Sequence, residues 1–249
     1  FTSIEQLNNS YSSTTPLDIL SLYIPWGDSA HCYIPLTLAD SIYRRQSIPM
    51  ITWEPWENLF RNSDQRNANK NILSKISEGS YDDYIDSFAT QVKSLNGPVF
   101  LRFAHEFTNP QYPWSMAGNN TPGDFKEAWK YLHAKFAKNK VTNAIWVWNP
   151  WKPENMAAYF PGRQYVDWIG LGILNYDTLN PDGHSYSFET LYSQFKTSPL
   201  FNAGIPVMIA EMGSLDRKAG EKWFTDAFTA IRSKFREINA FVIFNSLHD

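Results

Sequence analysis

The sequence predicts an α/β fold, a single (β/α)8 TIM barrel in which the last helix is missing or replaced. Its 249 residues suit one large domain. Short apolar runs alternate along the chain with patterns typical of amphipathic helices. Residues 1–17 are rich in Ser, Thr and Asn and are predicted to form an N-terminal arm, which leaves residues 18–249 for the barrel.

Seven continuous apolar runs predict strands that are buried on both faces, as in a parallel sheet. A weaker run near Asn71–Ile76 is predicted as a further strand, third in order, because eight strands close a barrel. The seven clear runs are Ile19–Ile24, Ile48–Trp53, Val99–Phe103, Ala144–Trp148, Trp168–Ile173, Pro206–Ala210 and Ala240–Phe244.

Three apolar stripes at helical spacing predict helices between these strands. They run from Ile85 to Leu95, from Phe125 to Phe136 and from Phe224 to Phe235. The second stripe follows Thr121, a suitable cap, and Pro122, a suitable first residue. An open doubly wound sheet is the alternative, but it would carry a glycine-rich phosphate turn after its first strand. Residues 25–28 read Pro-Trp-Gly-Asp instead.

Composition argues against several classes of partner. The net charge of -3 without charged blocks argues against nucleic acid, and no apolar run reaches the roughly 20 residues that span a bilayer. Cys32 is the only cysteine and no His-Glu-x-x-His spacing occurs, so we expect no metal and no cofactor. We expect a monomer. Because residue 1 is Phe rather than Met, we expect that a leader or a preceding domain has been removed, and we expect a secreted or extracytoplasmic protein.

Aromatic residues make up 16% of the chain, including 10 Trp, which is more than a barrel core requires. Trp26 and Trp151 follow strand ends and are predicted to stack on sugars, with ordinary core packing as the alternative for each. Trp129 and Trp223 lie at helical spacing and are predicted to be core.

Two glutamates follow buried strands directly. Glu106 follows the run that starts at Val99, the fourth predicted strand. Glu211 follows the run that starts at Pro206, the seventh. Each alone could be a structural ion pair, for example with Arg102, but both together at the C-terminal mouth of a barrel favour catalysis. Two interpretations stay open for Glu54, at the end of the second strand: it binds a sugar hydroxyl, or it pairs with an arginine such as Arg61.

The motif Leu101-Arg102-Phe103-Ala104-His105-Glu106-Phe107, followed by Gln111-Tyr112-Pro113-Trp114-Ser115, resembles glycoside hydrolase family 26. That family includes β-mannanases, mixed-linkage β-glucanases and some β-1,3-xylanases. The resemblance covers most of the chain from about Pro49 onward, and it continues in segments 79–85, 146–151, 167–170 and 209–213.

The resemblance implies a retaining, endo-acting glycoside hydrolase that cleaves a β-linked polysaccharide. The polysaccharide would be a β-1,3-1,4- or β-1,4-glucan, or a β-1,4-mannan. Glu106 would be the general acid/base and Glu211 the nucleophile, kept ionised by Arg102 and hydrogen-bonded by Tyr176. Further substrate contacts would come from His105, Tyr112, Trp114 and Trp148.

The sequence departs from the family pattern in two places. Residues 107–109 read Phe-Thr-Asn where the family usually has Met-Asn-Gly, and Phe244 with Asn245 stands where strand eight usually ends in Trp. The segments at 104–106 and 112–115 are closer to the β-glucan-cleaving members. The alternatives are a non-catalytic glycan-binding barrel and a polysaccharide-processing domain of a larger biosynthetic protein.

Overall fold

Seven parallel strands, each hydrogen-bonded to the next in sequence order, form one curled sheet. The structure is a computed structural model that describes residues 17–28, 30–57, 70–216 and 219–244. The first and last strands approach each other to within 8 Å between Cα atoms. The strands are β1 (Ile19–Pro25), β2 (Ile48–Glu54), β3 (Val99–Phe103), β4 (Ala144–Trp148), β5 (Trp168–Asn175), β6 (Val207–Ser214) and β7 (Ile238–Ile243).

Helices connect the strands and cover the outside of the sheet. The longest, Pro122–Lys138, begins with a capping box, in which the Thr121 side chain accepts from the Asp124 amide and the Asp124 side chain accepts from the Thr121 amide. No helix among the described residues is long and apolar enough to cross a bilayer. The α-helices are α1 (Leu36–Arg44), α2 (Ile72–Ser77), α3 (Asp82–Ser94), α4 (Pro122–Lys138), α5 (Phe188–Phe195) and α6 (Gly220–Ser233).

The segment predicted as a strand near Asn71–Ile76 is helix α2, which corrects the strand count. Its buried residues Ile72, Leu73 and Ile76 lie on one helical face, and α2 packs against α4. β2 pairs directly with β3. Glu106 therefore follows the third strand and Glu211 lies on the sixth. Residues 1–16 of the predicted arm, Arg61 and Asn245 lie outside the described residues.

The inside of the barrel is filled by a small apolar cluster separate from the core beneath the helices. Met50, Phe100 and Val147 belong to it. Side chains two residues apart on a strand share a face, so the next inward positions toward the C-terminal ends are Thr52, Arg102 and Asn149. The cluster is completed by Met208 and Ala210. The barrel interior thus changes from apolar to polar over one step along three neighbouring strands.

The packing inside the barrel can be tested by a substitution at Gly170 on β5. A Cβ at Gly170 would lie 2.7 Å from Cγ1 of Val147 and 3.3 Å from Cβ of Ala210, closer than side chains normally approach. We expect Gly170→Ala to lower the free energy of unfolding by about 1–3 kcal/mol, because the barrel strands must separate to admit the methyl group. Urea titration followed by tryptophan fluorescence measures the change.

Gly220→Ala is the matched control, since an added Cβ at Gly220 meets no atom within 4 Å. Alanine favours a helix over glycine, so this variant is expected to be neutral or more stable by up to about 1 kcal/mol. Equal losses of stability in the two variants would contradict the close contact at Gly170.

Candidate active site

The side chain of Arg102 lies at the centre of the C-terminal mouth of the barrel and is 0% exposed. Its Nε and Nη2 donate to Oγ1 of Thr52 at 2.9 and 2.7 Å, and its Nη1 donates to Oδ1 of Asn149 at 3.0 Å. These bonds come from the two neighbouring strands and fix the plane of the guanidinium. One edge of the group is left to face β1 and β6.

Glu211 meets that edge of the guanidinium. Its Oε1 lies 2.8 Å from Nη2 of Arg102 and accepts a 2.6 Å hydrogen bond from Oη of Tyr23. Burial raises the pKa of the Tyr23 hydroxyl, which therefore stays protonated and acts as a donor. One oxygen of Glu211 thus meets both a full positive charge and a hydroxyl donor.

A register shift in β6 turns Glu211 into the barrel. Leu171 of β5 pairs with Ile209, but the next residue, Gly172, pairs with Glu211, so Ala210 is the extra residue of a bulge. In a regular strand Glu211 would face away from Ala210, which belongs to the interior cluster. The bulge places Glu211 at an inward position opposite Gly172, as bulges beside functional sites commonly do.

Glu106 reaches the same mouth through an unusual backbone path. Ala104 and Glu106 have φ values of +44° and +49°, in the left-handed region that non-glycine residues rarely adopt. Two hydrogen bonds hold this path: the Ala104 amide donates to the Trp53 carbonyl at 3.0 Å and the Glu106 amide to the Asn149 carbonyl at 2.8 Å. The neighbouring strands therefore fix the direction of the Glu106 side chain.

The Glu106 carboxyl lies against Gly172, the residue of β5 that pairs with Glu211. A Cβ on this glycine would lie 3.1 Å from Oε1 of Glu106, while its backbone pairs with Glu211. Burial, and then the charge of Glu211, raise the pKa of Glu106 to about 7. Asn109 opposes this shift by donating from Nδ2 to Oε2 of Glu106 at 2.8 Å. Glu106 is thus a carboxyl that can hold its proton near neutral pH beside a charge-paired one.

His105, Tyr112 and Trp114 form an aromatic wall next to Glu106. Nε2 of His105 lies 3.0 Å from Oη of Tyr112, and the indole of Trp114 donates to the His105 carbonyl at 2.8 Å. The rings of Tyr112 and Trp114 stack with centroids 4.5 Å apart. Burial, with the charge of Arg102, lowers the pKa of His105 well below its ordinary value, so the imidazole is neutral.

Three tryptophans expected to contact sugar are covered by protein. Trp114 and Trp148 are 0% exposed and Trp26 is 8% exposed. Trp26 packs against Trp53 with ring centroids 4.7 Å apart, and all three rings belong to the core beneath the helices. These three rings therefore support the mouth from behind.

The other two predicted contact residues face solvent at least in part. Trp151 is half-buried, with Nζ of Lys152 4.2 Å from its ring centroid. Tyr176 is 45% exposed after β5, and Tyr23 also supplies a tyrosine hydroxyl, which donates to Glu211.

Several residues of the site received no role from the sequence. Tyr23 and Thr52 lie at strand ends, and their roles depend on which strand neighbours β3. Asn109 lies in a turn, where its amide follows Glu106 by three residues. The sequence held one signal for Thr52. It lies two residues after Met50 on the same strand, so both side chains share the face that points into the barrel. Among the described residues, no group of three or more His, Cys, Asp or Glu side chains could hold a metal ion.

A parallel barrel with one charge-paired carboxyl and a second of raised pKa at its C-terminal mouth is the arrangement of a glycoside hydrolase. The sequence pattern described as Glycosyl hydrolase family 26 matches residues 48–229. The chain belongs to this family, so the resemblance found in the sequence and the predicted barrel class are both confirmed.

Similar proteins include enzymes with different named activities. Endoglucanase H of Acetivibrio thermocellus is 29% identical over 240 residues, which cover 92% of this chain and 25% of that protein. Mannan endo-1,4-beta-mannosidase A and B of Caldalkalibacillus mannanilyticus is 27% identical over 173 residues, covering 66% and 31%. The chain thus spans about a quarter to a third of the length of these relatives.

Solved structures agree on the fold. The structure of GH26C from Muricauda sp. MAR_2010_75 matches with a TM-score of 0.69 at 19% identity, covering 92% of this chain and 71% of that one. At this level of identity the match establishes the barrel, and the site of this chain rests on its own residues.

The ion pair at the centre of the site can be tested by a double-mutant cycle. We expect Arg102→Met to cost about 3–5 kcal/mol of unfolding free energy, because Glu211 keeps a buried charge without its partner. Adding Glu211→Gln removes that charge and is expected to restore at least about 1 kcal/mol. Chemical denaturation of the two single variants and the double variant gives the coupling. Losses that add within about 0.5 kcal/mol would show that the pair is not coupled.

Proposed function

We propose that this chain hydrolyses internal linkages of a β-linked glucan, with retention of anomeric configuration. The observation that carries the proposal is the pair of unlike carboxyls at Gly172. Glu211 is charge-paired to Arg102 and bonded by Tyr23, whereas the pKa of Glu106 is raised to about 7. Retaining enzymes need one carboxyl ionised for attack and one protonated for donation.

In the first step Oε2 or Oε1 of Glu211 attacks the anomeric carbon of the sugar. The bond to the leaving oxygen breaks, and the proton of Glu106 passes to that oxygen. A glycosyl ester on Glu211 and a shortened chain result. The attack removes the negative charge of the Glu211 carboxylate. The hydroxyl of Tyr23, which donates to Oε1, can adjust its hydrogen bond as this charge decreases.

In the second step Glu106 acts as a base. The ester on Glu211 carries no charge, so the repulsion that raises the pKa of Glu106 is removed and that pKa falls. Ionised Glu106 takes a proton from water, whose oxygen attacks the anomeric carbon and releases Glu211. Glu106 thus serves first as the acid and then as the base, while Glu211 serves as the nucleophile.

The preference for glucan rests on two observations. The match to an endoglucanase extends over 92% of this chain, against 66% for the mannosidase. The segments at 104–106 and 112–115 resemble those of β-glucan-cleaving members. An open cavity of about 410 Å³ next to the site extends the mouth along the loops after β3 and β4. Thr108, Met116 and Trp151 line it, and we assign it to a further sugar of an internally bound chain.

Asn109 gives a test of the role of Glu106 as the acid. Removing its hydrogen bond takes away a group that favours ionised Glu106, so the pKa of Glu106 rises. Activity needs protonated Glu106 and falls as pH rises through this pKa. We therefore expect Asn109→Ala to move the alkaline limb of kcat/KM to higher pH by about one unit.

Asn96→Ala is the control for this shift, because Asn96 also donates to a carboxylate, that of Asp40, but on the exposed surface. Its pH profile is expected to match that of the unchanged protein. An alkaline limb that stays in place in Asn109→Ala, or moves to lower pH, would exclude Glu106 as the group that this limb reports.

The substrate is identified by incubating the protein with barley mixed-linkage glucan, a β-1,4-glucan, a β-1,4-mannan and a β-1,3-xylan. We expect reducing ends from a glucan, a first product with the β configuration by proton NMR, and at least a thousandfold loss in Glu211→Gln. Release from mannan or xylan alone would change the substrate class. A folded protein that is retained on a polymer without cutting it would favour the glycan-binding barrel.

A further inference from the structure

Glu54, at the end of β2, is a third carboxyl of the site for which the two-step mechanism has no role. Its side chain is only 12% exposed, and it is hydrogen-bonded by Trp56. Its Oε1 lies 3.9 Å from Nδ1 of His105. A movement of roughly 1 Å brings these two atoms to hydrogen-bond distance.

The atom that faces Glu54 has an unmet hydrogen-bonding requirement. Nδ1 of His105 is buried and has no hydrogen-bond partner among the residues described, although Nε2 of the same ring lies 3.0 Å from Oη of Tyr112. A buried polar nitrogen without a partner is costly. Glu54 is the carboxyl placed to satisfy it.

We propose that Glu54, His105 and Tyr112 form a proton relay that sets the direction of the Tyr112 hydroxyl in the substrate cleft. A neutral imidazole has one donor and one acceptor nitrogen, so the partner of Nδ1 determines the role of Nε2. Protonated Glu54 donates to Nδ1, and Nε2–H then donates to the Tyr112 oxygen. Ionised Glu54 accepts from Nδ1–H, and the Tyr112 hydroxyl then donates to Nε2.

The exchange between the two states balances in protons. The Glu54 proton passes to Nδ1, the proton on Nε2 passes to the Tyr112 oxygen, and the original hydroxyl proton of Tyr112 leaves into the cleft. His105 remains neutral and Tyr112 remains a phenol throughout. The relay as a whole loses one proton, the one by which Glu54 becomes ionised.

The charges around the relay place this exchange near neutral pH. Burial raises the pKa of Glu54 to about 7, Trp56 and Arg102 oppose this, and Glu211 adds to it. Burial and Arg102 keep His105 neutral, so that Glu54 titrates in place of the imidazole. The titratable groups that face the relay are Tyr23 on β1, Arg102 on β3, Glu106 after β3 and Glu211 on β6.

The consequence for the cleft is a change of hydrogen-bonding character at one point, and this part rests on the proposed function. Below the exchange, the Tyr112 hydroxyl is free to donate to a sugar oxygen. Above it, the same hydroxyl is engaged with His105 and offers only an acceptor. Glu54 is thus a positioning residue that acts on substrate through two others.

The relay can be tested without substrate, by following the ring nitrogens of His105 with nitrogen-15 NMR from pH 5 to pH 9 in the intact protein. We expect the proton to move from Nε2 to Nδ1 with a midpoint near pH 7. We expect this midpoint to vanish in Glu54→Gln, because an amide does not titrate. His105→Asn assigns the signals by their loss.

Glu106→Gln is the matched control, since Glu106 also has a pKa raised to about 7, whereas the carboxyl that faces Nδ1 is that of Glu54. The tautomer exchange is expected to persist in this variant with its midpoint within one pH unit. A midpoint that survives in Glu54→Gln, or disappears only in Glu106→Gln, would overturn the relay, as would a single tautomer across the pH range in the unchanged protein. None of these outcomes depends on hydrolytic activity, so failure of the relay and failure of the proposed function are distinguishable.

Discussion

The site is organised around one buried positive charge. A guanidinium with no exposure to water needs acceptors for its donors and a counter-charge, and Arg102 takes them from four other strands. Thr52 and Asn149 satisfy the edge facing their strands, while Tyr23 and Glu211 satisfy the rest. Because each partner must reach the same group, the register of β1, β2, β4 and β6 against β3 is fixed by this cluster as well as by apolar packing.

Backbone geometry, more than side-chain choice, separates the two carboxyl groups into different roles. A bulge at Ala210 brings Glu211 inward to the arginine, and left-handed residues at 104 and 106 bring Glu106 to the same mouth. Gly172 leaves room for the Glu106 carboxyl. The same residue type thus meets a positive charge in one place and burial beside a negative charge in the other, and the difference in protonation follows from position.

Much of the barrel was accessible from sequence because strands buried on both faces produce continuous apolar runs, and the five-residue runs at Val99 and Ala144 have the bounds of β3 and β4. Glu106 and Glu211 were singled out because two carboxyls follow buried runs at one mouth, where either alone would also fit a structural ion pair. The partners of Arg102 were not found, since they depend on strand register. Asn71–Ile76 was mistaken for a strand because a short apolar run has no clear period. The bulge left no trace in residue type.

The group of side chains around Arg102 also connects strands, because it lies where β1 approaches β7. Within the described residues, β1 pairs only with β2 and β7 only with β6, so no ladder of backbone bonds crosses the space between them. The hydroxyl of Tyr23 on β1 donates to Glu211 on β6, so a side-chain hydrogen bond spans this space. A hydrogen bond of the candidate site therefore also joins two strands that the backbone ladders leave unconnected, β1 and β6.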